Sequence, residues 1–170
     1  MNNVTMKSRD TVSGKFGNCY ISLNMDKKGN YSENVNRYLF MQVTNVKAKV
    51  DFDIADISIM GQSGMGHKTV GWKGSGTATF HYNTSMFAKI MEYFKKTGKE
   101  MRFTMQVTNS DSSSSAGEQV TILKDCLLSG ATIANIDSGT NDLTDDISFT
   151  FDDYSISTPF NVLDGMAVSN

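Results

Sequence analysis

Proline is almost missing from this chain: one residue in 170, Pro159. Nearly every backbone N–H is therefore available, and long unbroken ladders are permitted. Cysteine is scarce too. Cys19 and Cys126 sit far apart, each in an apolar, strand-like run, and read as buried free thiols, not as a disulfide framework. With only His67 and His81 beside them, no ligand spacing for a closed structural zinc site is present. Neither sign of charge is in excess. The net charge is −2, so nothing marks the chain as a sequence-specific DNA binder. Long apolar runs are absent as well. None approaches a membrane span, and the opening Met1-Asn-Asn-Val-Thr-Met-Lys-Ser-Arg9 lacks the apolar stretch of a signal peptide. The chain is expected to be made and to fold in the cytoplasm, without a membrane partner.

What is present suits one domain spanning residues 1–170. Hydrophobic residues make up 39% and charged residues 20%, a globular profile with a polar lean. Residues 1–11 read as a polar N-terminal arm and 159–170 as a C-terminal tail, frayed or docked on a neighbour. Residues 18–23 read as a strand and 26–30 as a turn. Residues 39–43 alternate. After Thr44 and Asn45 the alternation resumes, with Val46, Ala48, Val50, Phe52 and Ile54 on one face. Lys47, Lys49, Asp51 and Asp53 occupy the other. This is a long strand with one wet face and a bulge at the phase change. Residues 56–60 form a short further strand.

One helix is evident. Thr84 or Ser85 caps it, Met86, Phe87, Ile90, Met91 and Phe94 share one arc, and Gly98 stands at the C-cap. Residues 101–108 alternate cleanly. Residues 109–117, rich in serine, read as a flexible solvated hairpin tip. Residues 119–123 and 126–136 read as strands. Ile147, Phe149 and Phe151 alternate with polar residues, and Tyr154 and Ile156 resume after a slip at Asp152-Asp153. About eight strands, one helix and no βαβ rhythm predict a mainly β fold: an antiparallel β-sandwich or barrel with one amphipathic helix packed outside.

The densest signal lies in residues 61–82, GQSGMGHKTVGWKGSGTATFHY. Glycines 61, 64, 66, 71, 74 and 76 suit a loop or hairpin that leaves its own domain and docks elsewhere. The same stretch nearly spells a phosphate loop, but His67 displaces Lys68 by one place and a strand follows where a helix is required. Neither histidine stands in a Ser-His-Asp spacing. The pairs Asp145-Asp146 and Asp152-Asp153 alternate across a strand and read as solvated turn charges. Trp72 beside Lys73 reads as a ligand-stacking pair or as a docking anchor. No catalytic constellation, cofactor site or metal site emerges.

The run Gly66-His-Lys-Thr-Val-Gly-Trp-Lys-Gly-Ser-Gly-Thr-Ala-Thr-Phe-His-Tyr82 resembles the signature of phage tail tube proteins of the PBSX-like (XkdM-like) contractile-tail family. Asp10-Thr-Val-Ser-Gly14, Lys96-Thr-Gly-Lys99 and Asp145-Asp-Ile-Ser-Phe-Thr-Phe-Asp-Asp-Tyr154 agree in the same order; residues 24–45 fit less well. The resemblance implies a structural subunit without an active site. Six copies would form a ring, rings would stack into a hollow tube, and a contractile sheath would surround it. Tape-measure, baseplate and terminator proteins would be further partners, and DNA would pass only non-specifically. The particle would be a virion or a tail-like, bacteriocin-like assembly built in the bacterial host cytoplasm.

Under that reading the 61–76 segment, with Gly61, Gly64, Gly66, His67, Lys68, Gly71, Trp72, Lys73, Gly74 and Gly76, is the inter-subunit stacking loop. Lys47, Lys49, Asp51 and Asp53 are a candidate lumen row. Two other classes stay open: a type VI secretion-like tube protein, distinguished by its partners and cargo, and a monomeric ligand-binding β-barrel, distinguished by its size in solution. An enzyme ranks behind all three.

Overall fold

A computed structural model describes residues 5–166. Eight strands and one helix follow in the order β1 (Gly17–Met25), β2 (Tyr31–Leu39), β3 (Val43–Ser58), β4 (Met65–His81), α1 (Met86–Thr97), β5 (Phe103–Ser110), β6 (Glu118–Gly130), β7 (Thr144–Phe151) and β8 (Asp153–Thr158). All pairings are antiparallel. The sheet path is β2-β1-β5-β6-β7-β4-β3, and β8 adds to β6. β6 joins two half-sheets. Its first part lies between β5 and β8, and its last part pairs with β7 from Leu127 onward. Asp125 marks the change with φ +52°, a conformation that Asp tolerates better than most residues. On the opposite strand, β7 and β8 are one run bent at Asp152, so the slip at Asp152-Asp153 is a real change of direction.

The core forms because alternate residues of both half-sheets face inward. Ile21, Leu23, Phe103, Met105, Leu123, Cys126, Ile147 and Phe149 are buried there. α1 covers one end of it. Phe87 and Ile90 are buried, and Phe87 meets Phe40, Phe80 and Phe103 at ring-centroid distances of 5.5, 5.3 and 6.5 Å. The helix ends at Gly98, whose φ of +69° and N–H donated to the Phe94 carbonyl make the expected left-handed cap. At its start the Thr84 hydroxyl accepts from the Met86 N–H at 3.3 Å.

Three expectations are corrected. Residues 39–43 are not one strand: β2 ends at Leu39, and β3 begins at Val43 after a short turn. β2 is polar and lies on the sheet edge, so its alternation carries little apolar contrast. The 126–136 strand stops at Gly130. The serine-rich 109–117 segment is tied down, because Asp111 is buried and accepts from the Ser13 N–H at 2.9 Å and from the Ser113 N–H and hydroxyl. The Ser115 N–H donates to the Arg9 carbonyl, and the Asn161 N–H donates to the Ala116 carbonyl. The described parts of the N-terminal arm and the C-terminal tail are thus fastened to this segment. Residues 1–4 and 167–170 lie outside the described residues.

Candidate assembly surface

The 61–76 segment is not a loop. From Met65 it is strand β4, paired with β3 along its whole length from Phe80 opposite Val43 to Met65 opposite Ser58. A turn closes the hairpin at residues 59–64, with Gly61 at φ +82° and the Gln62 N–H donated to the Ile59 carbonyl. Residues 56–60 are likewise no separate strand, since β3 is continuous to Ser58.

The decisive feature is a mismatch of lengths. β3 and β4 have 16 and 17 residues, whereas β7, the other neighbour of β4, has 8. β7 stays beside β4 only from His81 to Gly74, and then the chain bends away into β8. Beyond that row, among the described residues, Asp51–Ser58 and Met65–Lys73 form a two-stranded ribbon that pairs with no further strand. At 3.4 Å per residue it projects about 25 Å.

Alternation makes the ribbon two-faced. One face continues the core face of the body. It carries Phe52 opposite Trp72, then Ile54 opposite Thr69, where a register shift leaves Val70 unpaired as a bulge. In the body this face is covered, but on the ribbon Phe52 is 65%, Ile54 63% and Val70 65% exposed. Towards the tip Ile57 and Ile59 fall by alternation on the opposite side, and with Met60 and Met65 they are exposed as well. The other face is charged. Lys47, Lys49, Asp51 and Asp53 lie in one row opposite Thr77, Ser75, Lys73 and Gly71. Lys49 pairs with Asp51 at 3.0 Å, and Lys73 with Asp53 at 3.3 Å. Nearer the tip, Asp56 and His67, directly paired and by alternation on the side of Phe52 and Ile54, meet at 3.0 Å. Such exposed pairs add little stability, but they neutralise Lys49, Asp51, Asp53 and Lys73 locally.

The glycines divide into two groups. Gly61, Gly64, Gly66 and Gly71 belong to the ribbon with His67, Lys68, Trp72 and Lys73. Gly74 and Gly76 lie buried in the body. A Cβ on Gly74 would stand 2.3 Å from the Phe151 ring, and one on Gly76 2.4 Å from the Phe149 ring. These two glycines let aromatic rings of the same chain lie flat on the strand. Trp72 sits at the boundary, 42% exposed. Its indole meets Tyr154 edge-on at 6.0 Å.

Trp72, Val50, Phe52, Tyr154, Ser155 and Ile156 line an open groove of about 470 Å³, where the ribbon and β8 diverge. From sequence alone Phe52 and Ile54 fall on the apolar face of a long strand with no mark of their exposure, and the tip side chains Ile57, Ile59, Met60 and Met65 are passed over. The available signal was strand length, since globular strands seldom exceed 10 residues.

The accessible surface is 11,992 Å². A compact monomer of 18.7 kDa would expose about 8,300 Å². The excess, roughly 3,700 Å², is of the size that obligate assemblies bury. Among the described residues no group of three His, Cys, Asp or Glu converges as a metal site, and no helix is long and apolar enough to cross a membrane.

A β-sandwich with bare edge strands and a free amphipathic hairpin defines the class: a structural subunit whose surface is suited to self-association. More particularly, the chain belongs to the phage tail tube protein family, whose model matches residues 4–157. It is 31% identical over 153 residues to the phage-like element PBSX protein XkdM of Bacillus subtilis (strain 168), a match covering 90% of this chain and 95% of that protein. The same identity and coverage hold for the uncharacterized protein YqbM of the same organism. A solved chain from the sheath–tube complex of an extracellular contractile injection system, PVC, in its extended state shares the fold. Its TM-score is 0.62, with 8% identity over 91% of this chain and 99% of that one. The expected fold and family are both as read from the residues.

Proposed function

We propose that this tail tube subunit works by completing copies of itself: hexameric rings stack through the β3–β4 ribbon into a hollow tube, and the protein acts as a scaffold, not as a catalyst. The observation that carries the reading is the ribbon. A two-stranded hairpin that exposes Phe52, Ile54, Val70 and Trp72 on one face is poorly stable by itself in water. Covering that face with a neighbour removes it from solvent and takes an open strand edge out of reach of stray pairing. The row Lys47, Lys49, Asp51 and Asp53, on the opposite face, then suits a channel lining that does not hold a polyanion, because Lys49 pairs with Asp51 and Lys73 with Asp53, which keeps the row from being a basic stripe. The sheath–tube complex to which the fold is related supports an outer sheath as partner. Tape-measure, baseplate and terminator proteins would join it in a virion or tail-like particle assembled in the host cytoplasm.

The test removes the ribbon without touching the body. Phe52 and Trp72 are directly paired, so residues 53–71 can be replaced by an Asn-Gly turn, which closes a two-residue hairpin. Purified wild-type chain is expected to give hollow filaments with sixfold end views by negative-stain electron microscopy. The shortened chain is expected to keep its circular dichroism and cooperative unfolding, yet to remain dispersed. Normal tubes from the shortened chain would end the docking role.

A further inference from the structure

Among the described residues Asp111, in the turn between β5 and β6, is the one charged side chain that is buried, 6% exposed. Stacking through the ribbon makes no use of it. A carboxylate is held out of water only where donors meet its oxygens, and here they come from two places. Ser113 of the same turn donates its hydroxyl at 2.6 Å and its N–H at 3.0 Å to Oδ1. Ser13 of the N-terminal arm donates its N–H at 2.9 Å to Oδ2. These bonds, that from the Ser113 hydroxyl first, hold the carboxyl below its ordinary value of 3.8, so it is ionised at neutral pH.

The same turn holds both ends of the chain. On the arm side, the Ser115 N–H donates to the Arg9 carbonyl at 2.9 Å. The Ser115 hydroxyl donates to the Asp10 carboxylate, which also accepts from the Lys7 N–H at 2.7 Å. On the tail side, the Asn161 N–H donates to the carbonyl of the next turn residue, Ala116, at 2.8 Å. Apolar packing contributes little. Ala116 is buried, but Met6, Val162 and Met166 are each more than half exposed. Arm and tail face each other across an open pocket of about 320 Å³, with Lys7 and Arg9 on one side and Val162 and Leu163 on the other. Segments held by polar bonds, with little buried apolar area, open at less cost than core strands.

We propose that residues 5–15, 111–116 and 159–166 form a clasp pinned by Asp111, which opens as one unit while the sandwich stays folded. The bonds run in series. Ser13 fixes the arm to Asp111, and the Asp111 carbonyl accepts from the Ser114 N–H at 3.0 Å. The Ser114 hydroxyl accepts from the Ala116 N–H at 3.1 Å, and the Ala116 carbonyl holds the tail. Loss of the pin therefore loosens the turn that carries the other contacts. The ladders of the body end outside the clasp. The Ser110 N–H donates to the Phe16 carbonyl at the head of β1, and β8 stops at Thr158. An open clasp presents both chain ends at one rim of the subunit together. The device belongs to the dispersed subunit and does not depend on the stacking reading.

Hydrogen exchange, followed by NMR in the dispersed full chain, tests this. The amides of Ser13, Ser115 and Asn161 are each hydrogen-bonded across the clasp. In the wild type they are expected to share one level of protection, well below that of the β5 amides from Phe103 to Val107. Asp111→Ala is expected to speed all three about tenfold or more and to leave β5 unchanged. Asn161→Pro deletes the donor of the tail. It is expected to speed the Ser13 and Ser115 amides in return, because coupling between the two ends is reciprocal. An unchanged Asn161 amide in Asp111→Ala, or unchanged Ser13 and Ser115 amides in Asn161→Pro, would overturn the single clasp. Wild-type protection of all three equal to that of β5 would overturn opening apart from the body. Faster exchange of β5 by the same factor in Asp111→Ala would place Asp111 in the support of the body and overturn its role as the pin.

Discussion

Replacing Gly76 by alanine isolates the body of the subunit from its assembly surface. The Phe149 ring lies on the β4 backbone at Gly76, and an added Cβ would be 2.4 Å from its Cζ and 2.7 Å from its Cε2. Carbon atoms settle at about 3.5–4.0 Å, so the ring must move by about 1 Å. It has little room to do so. Phe149 is 1% exposed and its other side meets Phe103 edge-on at 5.9 Å. Forcing a group into a packed core costs about 1–3 kcal/mol. Alanine returns about 0.4–1 kcal/mol by restricting the unfolded chain. A net loss of about 1–2 kcal/mol follows, which lowers Tm by about 2–8 °C in a chain of this size.

The assay is thermal unfolding of the dispersed chain by circular dichroism. Gly64→Ala serves as control: nothing lies within 4 Å of its added Cβ, so its stability is expected to stay within about 0.5 kcal/mol. Phe149→Leu in the Gly76→Ala background should relieve the clash, leaving the double variant more stable than the sum of the single losses predicts. A wild-type Tm for Gly76→Ala, or strict additivity in the double variant, would refute the packing argument.

Two predictions concern ionisable groups. Burial pushes the Cys19 and Cys126 thiols up to about 12, and the thiolate is the reactive form; iodoacetamide at pH 8 should leave both unlabelled in the native chain and label both in denaturant, and labelling of the native chain at a free-thiol rate would contradict the burial. Hydrogen bonds from Lys89 first, then Lys96, hold the Glu92 carboxyl down at about 2, against an ordinary 4.5. The folded state thus favours the ionised form, so the contribution is in place above the ordinary value and is lost as pH falls toward 2. Carboxyl NMR should show that midpoint, and 1 M salt should move it back toward the ordinary range; an ordinary midpoint at low salt would contradict the pairing.

Local chemistry made much of the fold readable. Ile147, Phe149 and Phe151 alternate because one side of β7 is core and the other is water, and α1 announces itself by its apolar arc and by Gly98. The bulge expected at Thr44-Asn45 is there, as a register shift between Val43 and Asn45. The features that were misread depend on partners distant in sequence. The serines of 109–117 look mobile until Ser13, 98 residues from Asp111, donates its N–H to that carboxylate. Gly74 and Gly76 look like loop residues until β7 is laid beside β4 in the register that puts Phe151 and Phe149 over them.

The ribbon shows why alternation alone cannot separate a core from an interface. From Val46 to Ile54 the pattern of β3 never changes: apolar residues at even positions and polar residues at most odd ones. Val46 and Val50 pack against the core, whereas Phe52 and Ile54 stand in water. Nothing in β3 itself marks that boundary. It is set by β7, which leaves β4 at Phe151 and bends into β8. A strand pattern therefore specifies that a face is to be buried, and the neighbouring strand decides whether the same chain buries it. Where a hairpin outruns its neighbours while keeping its apolar face, as β3 and β4 do, the same pattern that builds the subunit core also asks for a second subunit.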